Sequence, residues 1–233
     1  MKFAHLLPMT LIDYPDHIAA LAYTAACNFR CPFCHNSELV LPEETRRLHL
    51  IPENDIFATL HKRQKFIDAL VITGGEPTLQ PGLGQFITRA KHLGLLVKLD
   101  TNGSQPEILE ALFRAHLLDY VAMDIKGPPA RYDELAGAHV DISAIQNSIR
   151  LIISNAPDYE FRTTVAPTIT VADIKETVPM ISGAKRYYLQ RFVIPQGKAL
   201  VDPAWKNRQA LSEEELGAIW EQIRSAFPAG GVR

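Results

Sequence analysis

Two hydrophobic patterns alternate along the chain. Short runs rich in aliphatic and β-branched residues have the length of buried strands, and they recur six times. These runs occupy residues 18–25, 69–74, 95–101, 119–125, 159–165 and 186–194. Segments with apolar residues at helical spacing separate them, so the pattern predicts six strands that are each followed by a helix.

The predicted helices carry apolar stripes and recognisable end signals. One stripe comprises Leu83, Phe86, Ile87 and Ala90, a second comprises Ile142, Ile145, Ile149 and Ile152, and a final helix is predicted at residues 212–227. Gly94 is a predicted helix end, and Ser104 with Glu107 and Ser212 with Glu215 are predicted capping boxes.

Strand and helix alternation predicts an α/β fold with parallel strands and right-handed crossovers. Six such units suit a doubly wound open sheet or an incomplete barrel of the TIM type, and periodicity alone does not choose between them. We expect a single domain over residues 1–233, with its core at about residues 10–195.

Composition and charge narrow the function classes. Hydrophobic residues make up 47% of the chain and charged residues 21%, as in ordinary globular proteins. The net charge of −2 disfavours a large nucleic-acid footprint. No apolar run reaches about 18 residues, which predicts no membrane span. The first residues lack the pattern of a signal peptide, so we expect a cytoplasmic location.

Polar and glycine-containing segments follow the predicted strands. The carboxyl ends of parallel strands meet at one rim, where active groups collect. In chain order, this rim receives the cysteine cluster, then Gly74, Gly75 and Glu76, then Asp100 and Thr101, then Asp124 and Lys126, then Arg162, and finally Gln190 and Arg191.

The chain's three cysteines, Cys27, Cys31 and Cys34, lie within eight residues. A structural zinc site takes four protein ligands, and a closed iron–sulfur cluster takes four thiolates. Three thiolates would leave one iron open to a small molecule. A zinc site completed by His35 and a set of reduced structural thiols remain as alternatives, although ligation by adjacent Cys34 and His35 is awkward.

The other rim residues also have plain structural interpretations. Gly74 and Gly75 suit a tight turn, and the segment from Asp100 suits an Asx turn that leads to a helix capped by Ser104. Asp124 and Lys126 suit a surface ion pair. Arg162 suits a pair with Asp124.

The segment CNFRCPFC at residues 27–34 resembles the signature of the radical S-adenosylmethionine (SAM) superfamily, and Gly74-Gly75-Glu76 resembles its glycine-rich motif. The resemblance implies a partial (β/α)6 barrel of the TIM type. It also implies a 4Fe–4S cluster on Cys27, Cys31 and Cys34, with SAM on the fourth iron. The implied cofactor-binding residues are Phe33, Gly74, Gly75, Glu76, Asp100, Thr101, Asp124, Lys126 and Arg162. Asp100 and Thr101 would face SAM or a monovalent cation beside it.

Within this superfamily, residues 10–15 and the tail His35-Asn36 resemble the activating proteins of anaerobic ribonucleoside-triphosphate reductase, relatives of the pyruvate formate-lyase activases. Asp16 departs from the glycine that is common in the opening motif. The resemblance implies that reductive cleavage of SAM gives a 5′-deoxyadenosyl radical, which generates a glycyl radical on a partner enzyme. A low-potential electron donor such as flavodoxin or ferredoxin is implied.

Two alternatives stay open at this point. A radical SAM enzyme that acts on a small molecule, such as a 7-carboxy-7-deazaguanine synthase, would also use three cysteines and a compact barrel. A non-catalytic iron–sulfur or zinc protein, such as an electron carrier, is the alternative from another class.

Overall fold

The computed structural model describes residues 1–233 and contains eight strands and nine α-helices. The strands are β1 (Phe3–Thr10), β2 (Ala19–Thr24), β3 (Ala69–Gly74), β4 (Leu96–Thr101), β5 (Tyr120–Asp124), β6 (Asp158–Val165), β7 (Arg186–Arg191) and β8 (Ala229–Val232). The helices are α1 (Ser37–Val40), α2 (Pro42–Thr45), α3 (Glu53–Arg63), α4 (Leu83–His92), α5 (Pro106–Arg114), α6 (Tyr132–Ala136), α7 (Ile142–Asn155), α8 (Val171–Thr177) and α9 (Glu213–Ile223).

All eight strands form one sheet in chain order. Strands β2 to β7 are parallel, β1 pairs antiparallel with β2, and β8 adds in parallel to β7. The six strands β2 to β7, each parallel to the next, confirm the predicted partial (β/α)6 barrel. Because β1 and β8 do not pair with each other, the barrel has an open side.

The strands separate two apolar regions. A core of 51 buried residues extends from Phe3 to Phe227 between the helices and the outer face of the sheet. A smaller cluster of seven residues lies on the inner face, where Tyr14 packs among small and medium side chains of β2, β3 and β5. Alanines on the inner face leave room inside the barrel, whereas branched side chains fill the outer layer. None of the nine helices has the length and the hydropathy of a membrane span.

Most predicted helix signals are present, and one is wrong. Ser212 and Glu215 form a reciprocal capping box at the start of α9, and Gly94 follows α4 with a left-handed φ of 79°. The capping box of Ser104 and Glu107 does not form, because α5 begins at Pro106 after Gln105. Proline is favoured at the first helical position, and there it shifts the helix start past Ser104.

The two ends of the chain contribute strands that the hydrophobic pattern did not predict. β1 precedes the first predicted strand and covers the edge of β2. The final helix ends at Ile223 instead of residue 227, and the chain continues into β8. Gly230 allows this last strand, because a Cβ there would lie 2.0 Å from the carbonyl oxygen of Tyr187.

Candidate active site

A cavity of about 450 Å³ opens at the carboxyl ends of the parallel strands. Its volume suits a ligand of the size of a nucleoside derivative. All twelve residues predicted for the site line it, namely Cys27, Cys31, Phe33, Cys34, Gly74, Gly75, Glu76, Asp100, Thr101, Asp124, Lys126 and Arg162. His35, Asn36, Gln190 and Arg191 line it as well. The structure therefore brings the predicted residues together, while their individual roles stay predictions.

The cysteine loop is held by backbone contacts within its own turn and from residues 201 and 202. Cys34 N–H donates to the Cys31 carbonyl at 3.0 Å, which closes a tight turn over Pro32 and Phe33. The Val201 and Asp202 N–H groups donate to the carbonyls of Cys34 and Pro32, each at 3.0 Å. These contacts fix the loop without using the cysteine side chains, which leaves the thiols free for ligands.

Arg30 holds the other half of the loop. Its guanidinium donates to the carbonyl oxygens of Cys27, at 2.5 Å, and Phe29, at 2.8 Å. The Arg30 N–H also donates to the Ala136 carbonyl at 2.7 Å, which ties the loop to α6. The first cysteine is thus anchored through its backbone.

The three thiols lie in a sparsely hydrated setting. Cys31 is 7% exposed, and Cys27 and Cys34 are half-buried. Burial raises the pKa of Cys27 to about 12 and that of Cys31 to about 11, and it also raises the pKa of Cys34. The thiols are therefore protonated in the free chain, and metal binding must displace their protons.

The donor set suits a cluster better than a single ion. No three His, Cys, Asp or Glu side chains lie close enough together to hold one metal ion. The three cysteines instead border one cavity, and no fourth cysteine exists. Three thiolates around a shared space fit an iron–sulfur cluster with one open iron.

Gly74 and Gly75 allow the end of β3 to pack against the root of the cysteine loop. A Cβ on Gly74 would lie 2.4 Å from the Thr24 backbone nitrogen, and one on Gly75 would lie 2.0 Å from the Ala26 carbonyl oxygen. Gly74 also has φ of 114°, which favours glycine. The pair is therefore more than a plain turn, because it sets the distance between two walls of the cavity.

Glu76 connects two rim loops and is fully buried. Its Oε1 accepts hydrogen bonds from the Thr78 N–H, the Thr78 hydroxyl and the Thr101 hydroxyl, and its Oε2 accepts one from the Asn102 N–H at 2.7 Å. Burial raises the pKa of Glu76, and these donors oppose the rise. A carboxylate oxygen has two lone pairs, so acceptor capacity remains on Oε2.

Asp124, Lys126 and Arg162 form an ion network on the inner face of β5 and β6. Lys126 Nζ lies 3.2 Å from Asp124 Oδ2, and Arg162 Nε donates to Asp124 Oδ1 at 2.9 Å. The Lys126 side chain is 14% exposed and the Asp124 side chain 32% exposed, so the lysine is the more buried partner of the pair. Burial raises the pKa of Asp124, but Arg162 and Lys126 outweigh it and lower the pKa to about 2.

Asp100 stands beside this network with free acceptor capacity. Its Oδ2 lies 3.5 Å from Arg162 Nη1, and its Oδ1 lies 3.4 Å from Lys98 Nζ. Oδ1 is buried and receives no hydrogen bond. A buried carboxylate oxygen without a donor is unusual and suits a ligand or a cation.

Two asparagines that the sequence did not single out connect the loops of the site. Asn102 Nδ2 donates to Asn28 Oδ1 at 2.9 Å and lies 3.9 Å from Cys27 Sγ. Asn28 in turn donates to the Ser104 hydroxyl at 2.9 Å. Together they tie the cysteine loop to the loop after β4. Asn102 precedes Gly103, and this pair, which is typical of turns, is the only signal in the sequence that points to Asn102.

Comparisons with known proteins agree with this geometry. The family profile described as the Radical SAM superfamily matches residues 21–181. A protein of Methanocaldococcus jannaschii with the provisional name glycyl-radical enzyme activating enzyme is 36% identical over 219 residues, which is 91% of this chain and 87% of that protein. The pyruvate formate-lyase-activating enzyme of Listeria monocytogenes is 32% identical over 129 residues, 51% of this chain and 50% of its own length.

Solved structures share the fold at low identity. SuiB of Streptococcus suis, bound to its precursor peptide SuiA, superposes with a TM-score of 0.71 at 14% sequence identity. The superposition covers 91% of this chain and only 48% of the SuiB chain. The profile match covers more than half of the sequence and includes the cysteine loop and the loops after β3, β4 and β5. The chain therefore belongs to the radical SAM superfamily and is an enzyme.

Proposed function

We propose that this enzyme uses a 4Fe–4S cluster and SAM to generate a glycyl radical on a partner enzyme, with anaerobic ribonucleoside-triphosphate reductase as the expected partner. The observation that carries the proposal is the similarity to an activating enzyme over 91% of the chain, combined with three cysteines on one cavity. When bound, the cluster and SAM supply a 5′-deoxyadenosyl radical that takes the α-hydrogen atom of a partner glycine.

The chain's own residues would hold the two groups in contact. Cys27, Cys31 and Cys34 would bind the cluster as thiolates. Glu76 Oε2 retains acceptor capacity for the SAM ammonium, and Lys126 offers a cation for the SAM carboxylate. Phe33 packs against Trp205 at 5.9 Å between ring centroids and lines the cavity, which suits contact with the adenine.

A monovalent cation beside SAM is part of the proposal. Asp100 Oδ1 is the buried oxygen that supports it, because this atom receives no hydrogen bond, although the Lys98 ammonium lies 3.4 Å from it. The Thr101 hydroxyl is adjacent in sequence, but it donates to Glu76 at 2.7 Å and already accepts a hydrogen bond from the Gly103 N–H at 3.1 Å. We therefore expect Asp100 to contribute more to cation binding than the Thr101 hydroxyl.

The open side of the barrel supports a macromolecular substrate. Strands β1 and β8 are unpaired with each other, and the cavity reaches the segment after β7, where Val193 is 50% exposed. An extended glycine-containing loop needs such lateral access, whereas a small molecule does not. The hydrogen abstraction itself requires no acid or base from the chain. The sequence accordingly predicts no pair of catalytic acid and base residues.

The decisive test of the proposed function is anaerobic. Reconstituted protein, SAM, dithionite and a candidate ribonucleotide reductase are mixed, and the sample is examined by EPR spectroscopy. We expect a glycyl-radical doublet together with methionine and 5′-deoxyadenosine. Cleavage of SAM without a doublet on any candidate partner would overturn the activase proposal and favour a small-molecule substrate. A protein that binds a cluster but cleaves no SAM would favour an electron carrier.

A further inference from the structure

Cys27 borders two separate openings. One is the cavity at the strand ends, and the other is an outward groove of about 330 Å³. The two share only Cys27 and Val40 among the residues that line them. The first cysteine therefore forms a thin wall between the reaction cavity and the outer surface.

The groove has an apolar floor and a cationic rim. Ala25, Ala26 and Cys27 lie at its base, and the cations at its edge are Lys2, Arg30 and Arg46. No carboxylate lines it. On the neighbouring helix α2, Glu44 is engaged by the Ser37 hydroxyl at 2.8 Å, and Glu43 does not reach the groove.

These three cations have no acidic partner in the chain. None of them takes part in an ion pair. Lys2 and Arg46 are exposed. Since the whole chain carries a net charge of −2, an unpaired positive rim is a local feature and not a consequence of composition.

We infer that this groove, which we call the Cys27 groove, is the docking site of an acidic one-electron carrier protein. Complementary charge steers such a partner to the rim and fixes its orientation. The inference rests on the proposed function, because reductive cleavage of SAM needs one external electron per turnover. The carrier is oxidised by one electron, the group held by the three cysteines is reduced by one electron, and no atom is transferred.

The position of the groove explains why the donor would bind there. Cys27 lines both the groove and the reaction cavity, and the Arg30 guanidinium, which also lines the groove, donates to the Cys27 carbonyl. The mouth of the reaction cavity, near β7, is lined by other residues. The donor and the protein substrate can therefore bind at the same time.

The test compares charge reversals in the holoenzyme. Lys2→Glu and Arg46→Glu are made together, with Lys175→Glu on α8 as a control, because Lys175 is exposed and outside the groove. Reduced flavodoxin is the probe. Its Kd, and the rate at which it bleaches the cluster without SAM, are measured at several salt concentrations. We expect a Kd raised about 10- to 100-fold in the double variant, and a weaker salt dependence.

Dithionite separates this inference from the proposed function. With dithionite as reductant, the double variant should cleave SAM at the wild-type rate, because a small reductant needs no docking site. Unchanged flavodoxin affinity would overturn the inference. So would an equal loss in the Lys175→Glu control, or in Arg47→Glu beside the groove, since either would indicate a general field effect. If glycyl-radical formation fails with dithionite while flavodoxin binds normally, the groove contacts the protein substrate instead.

Discussion

Cavities of similar size lie at opposite ends of the same strands. The cavity at the carboxyl ends measures about 450 Å³, and the one at the amino ends measures about 490 Å³. They differ in how many polar groups are left free. At the amino end, Asp119 binds Lys91 Nζ at 2.6 Å, and Asp158 pairs with Arg186. At the carboxyl end, the three thiols are free, and Asp100 Oδ1 receives no hydrogen bond although Lys98 Nζ lies 3.4 Å away.

The number of polar groups that the chain leaves free indicates the functional end of the barrel better than the cavity volume does. Groups at the amino end are satisfied by the chain, so they contribute to stability. Groups at the carboxyl end keep free acceptors and thiols that only a ligand can satisfy. Variants at the carboxyl end should therefore lose catalysis, whereas variants at the amino end should lose stability.

The largest effect is expected from Cys31→Ala at the carboxyl end. Loss of one of three ligands should prevent cluster assembly and reduce SAM cleavage to background, while the barrel stays folded, at a cost of about 1 kcal/mol for the small cavity. Iron and sulfide analysis, product chromatography and a thermal melt measure the three quantities. Full SAM cleavage by this variant would contradict the cluster assignment.

Tyr14→Ala is the counterpart at the amino end. Tyr14 is 4% exposed and contacts Tyr120 edge to face at 5.6 Å and His17 in a stacked arrangement at 4.7 Å. Removal of a buried aromatic ring should lower the free energy of unfolding by about 3–5 kcal/mol. SAM affinity of the folded fraction should not change. A large loss of SAM affinity at unchanged stability would break the distinction between the two ends.

A matched pair of lysine variants gives the sharpest comparison. Lys126→Met and Lys91→Met make the same chemical change beside a carboxylate at opposite ends. Lys126→Met should raise the Kd for SAM about 10- to 100-fold, the equivalent of about 1.5–3 kcal/mol for a charge-assisted contact. Lys91→Met should leave this Kd unchanged and lower the unfolding free energy by about 1 kcal/mol. If the two variants had equal effects on the Kd for SAM, Lys126 would not contribute to SAM binding.

Glu76→Gln tests a residue that contributes both to stability and to the reaction cavity. Its carboxylate is satisfied by four donors of the chain, yet it lines the reaction cavity. The amide nitrogen would face the Asn102 N–H or the threonine donors, which should cost about 1–3 kcal/mol of unfolding free energy. SAM affinity should fall as well. Chemical denaturation and equilibrium binding of SAM measure both, and a change in only one would assign Glu76 to a single role.

Much of the barrel and the site could be predicted from the sequence, for physical reasons. Parallel strands are buried on both faces, so β2, β3 and β5 are near-continuous apolar runs, and the carboxyl ends of the parallel strands meet at one rim. That geometry is why residues far apart in sequence, such as Cys27 and Arg162, line one cavity.

The missed features depend on tertiary contacts that a single sequence does not show. Strand β8 has the sequence AGGV, which carries no strand signal, and it forms because it pairs with β7 beside Trp220. The sequence pattern predicts Ser104 as a helix cap, but its hydroxyl accepts a hydrogen bond from Asn28, 76 residues away. The paired asparagines and the Cys27 groove arise from the same kind of loop-to-loop contact.

The most direct test of the central claim follows one hydrogen atom. The partner reductase is prepared with α-deuterated glycine and incubated anaerobically with the enzyme, SAM and dithionite, and the 5′-deoxyadenosine is analysed by mass spectrometry. We expect one deuterium in 5′-deoxyadenosine and a glycyl-radical EPR signal that appears in step with it. Formation of 5′-deoxyadenosine without deuterium, at a rate independent of the partner, would contradict it.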